Sequence, residues 1–126
     1  MRFLCVCEGG NCRSVSMATR LKDRGQEALA CGWRTCATDT LSMLLGWADA
    51  VVVMQREFIP RIEALPGFDP RKLIIVDVGP DVYGTPCHEG LVQYLDGVAN
   101  DWARKGFRLV GALGHNLQGG NHVRVV

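Results

Sequence analysis

The sequence predicts an α/β fold in which helices cover both faces of a parallel β-sheet. Short, strongly apolar segments alternate along the chain with segments whose apolar residues recur at helical spacing. The clearest strand, residues 50–54, is apolar at every position, which is typical of a strand buried on both faces. In sheets of this kind, ligands bind beyond the carboxyl ends of the strands.

The first half of the chain is predicted to contain three strands and two helices. The strands are expected at residues 3–6, 28–35 and 50–54, and the helices at residues 14–24 and 41–45. Gly25 ends the apolar pattern of the first helix. The second helix is short, and its candidate N-caps are Thr38, Asp39 and Thr40.

The second half is predicted to add one strand and two helices. A helix begins near Pro60, because proline is tolerated in the first turn of a helix, and a strand follows at residues 73–76. Thr85 and Pro86 are expected to start the last, long helix. Its apolar stripe contains Leu91, Leu95, Val98 and Trp102.

The length and composition point to one domain. The chain has 126 residues, and we expect a domain at residues 1–105 and a partly ordered C-terminal tail at residues 106–126. A net charge of +1 gives no basic field for nucleic acid. The apolar runs are too short to span a membrane, and the N-terminus does not resemble a secretory signal, so a cytoplasmic protein is expected.

The cysteines are expected to be reduced thiols. Six are present, at positions 5, 7, 12, 31, 36 and 87, without the secretory context that favours a disulfide framework. Paired cysteines separated by two residues, which are typical of zinc sites, do not occur. We therefore expect neither a metal nor another cofactor.

The loop between the first strand and the first helix carries the chemistry. Residues 7–14 read Cys-Glu-Gly-Gly-Asn-Cys-Arg-Ser. Adjacent glycines permit positive φ, so that successive N–H groups can point inward, and the helix N-terminus adds partial positive charge. Together with Arg13 these groups favour the thiolate of Cys7, whereas a cysteine ending a buried strand is otherwise only a small apolar residue. Arg13 also offers a bidentate partner to a tetrahedral oxyanion.

The sequence CEGGNCRS resembles the phosphate loop of the low-molecular-weight protein tyrosine phosphatases, in particular the short predicted phosphatases of bacteria and phages. The resemblance implies a three-layer sandwich with a four-stranded parallel sheet in the order 2-1-3-4 and a phosphate loop after strand 1. It also implies that Cys7 is the nucleophile, that Arg13 clamps the phosphate, and that Ser14 donates a hydroxyl to the thiolate. The implied phosphate-binding residues are Glu8, Gly9, Gly10, Asn11, Cys12, Arg13 and Ser14.

Three positions of the loop and its surroundings have further implications under this resemblance. Cys12 matches a second loop cysteine that can form a reversible disulfide with the nucleophile, which gives it a redox role. The family usually has asparagine three places after the nucleophile, where this chain has Gly10 and then Asn11. Larger members have aspartate after the methionine of the third strand, where this chain has Gln55. The bracing of the loop is therefore expected to differ from that of the family.

A second loop, residues 77–84, leaves the fourth strand at the same edge of the sheet. Transfer of a phosphoryl group from a phenol to a thiolate requires a proton donor for the leaving phenolate. In the family this acid lies in an Asp-Pro-Tyr loop, which Pro-Asp-Val-Tyr at residues 80–83 resembles. The resemblance implies Asp81 as general acid and base, with Asp77 as the alternative acid or a loop-bracing residue. Tyr83 is expected to line the mouth of the pocket and to stack on the substrate ring.

These features favour a cysteine-dependent phosphatase that hydrolyses phosphotyrosine-like aryl phosphates through a phosphocysteine intermediate. Its expected partners are a phosphotyrosine-containing protein or a small aryl phosphate, with a phosphate- or sulfate-type oxyanion in the loop, and neither nucleic acid nor membrane. An arsenate reductase of the same fold is an alternative, with Cys31, Cys36 and Cys87 as candidates for its thiol relay. A low-activity oxyanion-binding module is the other alternative. His88 is expected to be an exposed or capping residue.

Overall fold

The computed structural model describes residues 1–108, so that residues 109–126 of the expected tail lie outside the described residues. The strands in this range are β1 (Arg2–Cys7), β2 (Glu27–Gly32), β3 (Ala50–Val53) and β4 (Leu73–Ile75). The α-helices are α1 (Arg13–Lys22), α2 (Thr38–Trp47), α3 (Ile59–Glu63) and α4 (Glu89–Arg104). Short 3-10 turns at Arg56–Phe58 and Pro70–Lys72 precede α3 and β4.

The four strands form one parallel sheet in the order β2-β1-β3-β4, which confirms the expected fold class and strand order. Cys7 at the end of β1 pairs with Gly32 at the end of β2. On the other side of β1, Val6 pairs with Val53, the last residue of β3. The chain reverses its direction of travel across the sheet between β1 and β3, and such a switch point is where open α/β sheets bind ligands.

The core lies on both faces of the central strand β1. Residues 3–7 are buried at every position, because helices cover this part of the sheet on both sides. Phe3 stacks on Trp102 of α4, with ring centroids 6.0 Å apart, and α4 packs beside α1. Phe107 makes an edge contact with Phe3, also at 6.0 Å, so the chain still packs on the core just beyond residue 105.

Among the boundaries that differ from the predicted ones are the end of the second strand and the start of the last helix. The second strand ends at Gly32, three residues early, because the chain enters a turn in which the amide of Cys36 donates to the carbonyl of Gly32. The last helix begins at Glu89, not at residues 85 and 86. Residues 85–88 form a turn instead.

The predicted cap of α2 is wrong, whereas the predicted role of His88 is confirmed. The helix begins at Thr38 after Ala37, and no side chain bonds its first turn as a cap. Asp39 accepts only from the neighbouring amide of Thr40. His88 caps α4, because its Nδ1 accepts from the amide of Leu91 at 3.3 Å. None of the helices within residues 1–108 combines the length and the apolar character needed to cross a bilayer.

Candidate active site

The 7–14 loop is packed backbone to backbone against the end of β2. Gly10 has φ +76°, and a β-carbon there would lie 2.4 Å from the amide nitrogen of Gly32. A β-carbon on Gly32 would in turn lie 2.4 Å from the carbonyl carbon of Gly9. Thr35 adds a side-chain contact, because its hydroxyl donates to the Gly9 carbonyl at 2.9 Å. Glycine is therefore required on both sides, which is how this chain braces the loop without an asparagine at position 10.

The sulfur of Cys7 lies at the base of the loop with polar groups directed at it. Its side chain is buried, with 2% exposed. The amide of Gly10 donates to Sγ at 3.2 Å, and the hydroxyl oxygen of the fully buried Ser14 lies 3.0 Å from it. The sulfur is thus held by polar contacts from the loop and from the first turn of α1.

Arg13 is buried and is held from the two strands beyond β1. Its Nη1 donates to the Gln55 side-chain oxygen at 2.8 Å and to the Gly79 carbonyl at 2.6 Å. The guanidinium carbon lies 5.3 Å from the centre of the Phe58 ring, within range of a cation–π contact. Its Nε is buried without a partner among the residues that the structure describes. The guanidinium is thus fixed in place with a donor still to be satisfied.

A cleft of about 260 Å³ with a polar wall borders this loop and includes Arg13, whereas Cys7 is not among its lining residues. It is lined by Glu8, Gly9, Asn11, Arg13, Arg34, Thr35 and Asp81. Arg34 forms an ion pair with Glu8 across the rim, with nitrogen and oxygen 2.5 Å apart. The cleft therefore combines the guanidinium of Arg13 with the carboxylates of Glu8 and Asp81.

The structure separates the two aspartates of the 77–84 loop. Asp81 lines the cleft, and its carboxylate also accepts from the amide of Tyr83 at 3.4 Å. Asp77 lies away from the cleft, and its Oδ1 accepts from the amide of Gly79 at 3.0 Å. Asp81 and Arg13 therefore line the same cleft, whereas Asp77 lies within the turn.

Tyr83 does not line the cleft, where it was expected. It borders a second pocket of about 400 Å³ on the far side of the 77–84 loop, which Asp77 also borders. Its hydroxyl donates to the Val78 carbonyl at 2.7 Å, and its ring makes an edge contact with His88 at 5.2 Å. These contacts hold the ring away from the cleft mouth.

The remaining cysteines differ in their surroundings. Burial, and after it the neighbouring Asp81 carboxylate, raise the pKa of Cys12 to about 11. Burial raises the pKa of Cys31 to about 12. Cys36 is half-buried, Cys87 is exposed, and all six cysteines are free thiols. Within residues 1–108, no group of three or more histidine, cysteine, aspartate or glutamate residues is arranged to hold a metal ion.

Sequence reasoning missed four residues of this site: Gly32, Arg34, Thr35 and Gly79. A signal existed for Arg34 and Thr35, because polar residues that follow a strand of a parallel sheet lie at its ligand-binding edge. Gly32 and Gly79 act through backbone contacts with residues distant in the chain, and such contacts leave no local pattern.

Comparison with solved structures identifies the fold as that of the low-molecular-weight protein tyrosine phosphatases. A phosphatase of this class from Bacillus subtilis has 16% identity and a TM-score of 0.65, covering 82% of this chain and 98% of its own. The tyrosine phosphatase Wzb from Escherichia coli K30, solved with phosphate, has 18% identity and a TM-score of 0.63, covering 82% and 96%.

The YwlE arginine phosphatase from Geobacillus stearothermophilus also shares the fold. Its structure has 16% identity and a TM-score of 0.57, covering 96% of this chain and 97% of its own. No protein-family model and no curated protein sequence matches the chain.

The raised pKa of Cys12 predicts how fast a disulfide with Cys7 closes. After peroxide converts Cys7 to a sulfenic acid, the Cys12 thiolate must attack it. With a pKa of about 11, the thiolate fraction of Cys12 rises with pH. Closure is therefore expected to accelerate about 100-fold from pH 7 to pH 9. The test is a pulse of peroxide, followed by timed alkylation and mass spectrometry at each pH.

The Cys12→Ala variant is the control for this experiment. Without a second loop thiol, excess peroxide should oxidise its Cys7 sulfenic acid further to the sulfinic acid, so activity lost after prolonged exposure should not return when a thiol is added. Closure at the same rate at both pH values, or full recovery of the variant, would contradict the role assigned to Cys12.

Proposed function

We propose that the chain is a cysteine-dependent phosphatase that hydrolyses phosphotyrosine-like aryl phosphates through a phosphocysteine intermediate. The main support for this proposal is that Arg13 and Asp81 line one cleft, beside the loop whose first residue is the buried Cys7. The fold shared with tyrosine phosphatases, one of them solved with phosphate, supports the same activity.

Substrate binding in this proposal depends on Arg13 and the loop amides. The unpartnered Nε of Arg13 is a buried donor whose natural partner is an oxyanion. The Gly10 amide, which donates to the Cys7 sulfur, and the N-terminus of α1 add partial positive charge at the base of the loop. The equatorial oxygens of the phosphoryl group are thus stabilised as the transition state forms.

The chemistry proceeds in two displacements. The Cys7 sulfur attacks phosphorus, so that an S–P bond forms while the bond to the leaving oxygen breaks, and Asp81 gives its proton to that oxygen. A water molecule then attacks the phosphocysteine, Asp81 takes its proton, and the S–P bond breaks to release inorganic phosphate. All the groups in these steps belong to this chain, the substrate or water.

The arsenate reductase alternative requires a second thiolate to attack the first cysteine. Cys31 is buried in β2, and its pKa of about 12 keeps it protonated at neutral pH. Asp81 at the cleft has a role in hydrolysis and none in thiol transfer. These features favour the phosphatase over the reductase, and Asp81 also favours turnover over the alternative of a pure oxyanion-binding module.

A phosphoarginine substrate is a second candidate, which the wall of the cleft favours. Within residues 1–108, the residues that line it are polar or glycine, and two of them, Glu8 and Asp81, are acidic. An aromatic leaving group finds no ring to stack on there, because Tyr83 faces the second pocket. A cationic guanidinium would instead meet carboxylates, and an arginine phosphatase has the same fold.

Replacing the proposed nucleophile Cys7 and replacing the proposed acid Asp81 should change the kinetics in different ways. Cys7→Ser should abolish turnover of p-nitrophenyl phosphate. Asp81→Asn should lower kcat by about 10²–10⁴-fold on phenyl phosphate, whose leaving group needs a proton, and by less on p-nitrophenyl phosphate. Steady-state kinetics on both substrates measure the difference.

Asp77→Asn is the matched control, since it makes the same change in the same loop outside the cleft. It should respond equally to the two leaving groups. Undiminished turnover by Cys7→Ser would refute the mechanism, and a leaving-group dependence in Asp77→Asn instead of Asp81→Asn would move the acid to Asp77.

The substrate class is tested with two peptides of one sequence that carry phosphotyrosine or phosphoarginine. A kcat/KM at least about tenfold higher for phosphotyrosine is expected if aryl phosphates are the substrates. The reverse preference would assign the polar cleft to phosphoarginine. In that case Glu8→Gln should reduce turnover of the phosphoarginine peptide and leave that of the phosphotyrosine peptide unchanged.

A further inference from the structure

The turn at residues 77–79 connects directly to the phosphate clamp. Gly79 uses both of its backbone groups in this connection. Its carbonyl accepts from Nη1 of Arg13 at 2.6 Å, and its amide donates to Oδ1 of Asp77 at 3.0 Å. The carboxylate of Asp77 therefore holds Gly79, and Gly79 in turn holds Arg13. Asp77 itself does not line the cleft.

The conformation of Gly79 shows why this position is glycine. It has φ +73°, a region that residues with a side chain rarely adopt, and a β-carbon there would meet nothing within 4 Å. Glycine is therefore needed at position 79 for its backbone conformation and not because a side chain would clash. Only in this conformation does the observed turn present its amide to Asp77 and its carbonyl to Arg13.

The two acceptors on Nη1 are both neutral. One is the side-chain amide oxygen of Gln55 and the other is the Gly79 carbonyl. Neutral acceptors orient the guanidinium without cancelling its charge, which stays available to an oxyanion. The negative charge of Asp77 acts one residue away, on the amide of Gly79.

We propose that Asp77 is a positioning residue for the phosphate clamp, which holds Gly79 so that its carbonyl aims Arg13 at the oxyanion. An effect of Asp77 on catalysis follows only if the proposed phosphatase function holds. Its primary readout is the binding of inorganic phosphate, which does not require turnover. The role is different from that of the general acid, which the proposed mechanism gives to Asp81.

The first test compares two replacements of Asp77. Asp77→Ala removes the acceptor for the Gly79 amide and should weaken phosphate binding about fivefold to tenfold, measured by isothermal titration calorimetry. Asp77→Asn keeps an oxygen at the same place and should restore binding to within about twofold of the parent. In kinetics, Asp77→Ala should raise KM more than it lowers kcat and should leave the pH profile of kcat unchanged.

The second test uses two glycines of the same loop. Gly79 and Gly84 both have positive φ, at +73° and +76°, and both have open space where a β-carbon would lie. Among the described contacts, the carbonyl of Gly79 bonds Arg13. Gly79→Ala should therefore weaken phosphate binding about tenfold, whereas Gly84→Ala, with similar backbone strain, should change it less than twofold. Thermal unfolding of each variant confirms that the fold is retained.

The outcomes separate this inference from the proposed function. A parent that binds phosphate but hydrolyses no phosphorylated substrate would refute the proposed phosphatase and leave the positioning of Arg13 supported by the binding data. Equal phosphate affinity in the parent and Asp77→Ala, equal losses in Gly79→Ala and Gly84→Ala, or failure of Asp77→Asn to restore binding would overturn the positioning role. A parent that hydrolyses phosphorylated substrates without measurable phosphate affinity would overturn the positioning role alone.

Discussion

The buried guanidinium of Arg13 is the interaction on which the site depends. Burying a charge is costly unless hydrogen bonds compensate, and here Gln55 and Gly79 supply acceptors while the Phe58 ring supplies a cation–π contact. These partners come from the segments after β3 and β4. The strand order β2-β1-β3-β4 is therefore what brings them within reach of a residue that follows β1. The strand order that defines the fold is thus also what allows the guanidinium of Arg13 to be held in place.

The same edge of the sheet also shapes the loop around Cys7. Gly10 and Gly32 let two backbone segments approach more closely than any side chain would permit. This contact turns the Gly10 amide toward the sulfur, and it places Thr35 against the Gly9 carbonyl. A loop whose sequence departs from the usual family pattern is thereby braced by the neighbouring strand. The loop and the end of β2 form one unit.

The sequence was sufficient for the features that have a local or periodic signature. The apolar run at β3 predicted a buried strand, and the pattern around Cys7 and Arg13 predicted a strand, a loop and a helix in that order, as observed. The sequence was insufficient where contacts between backbone groups distant in the chain determine which residues form the site. Gly79 reaches Arg13 across 66 positions of the chain, and neither residue predicts the other. The position of Tyr83 was predicted wrongly for a different reason, because its hydroxyl donates to the Val78 carbonyl of the same loop, a local contact that its sequence neighbours do not reveal.

The most direct test of the account is the affinity for inorganic phosphate of the parent and of Arg13→Lys, measured by isothermal titration calorimetry. Lysine keeps the positive charge but loses the planar fork, so the account predicts a dissociation constant about 100-fold higher. Arg20→Lys, the same change in α1 away from the cleft, should bind as the parent does. Parent-like phosphate affinity in Arg13→Lys would contradict the account, because the oriented guanidinium would then not be what holds the oxyanion.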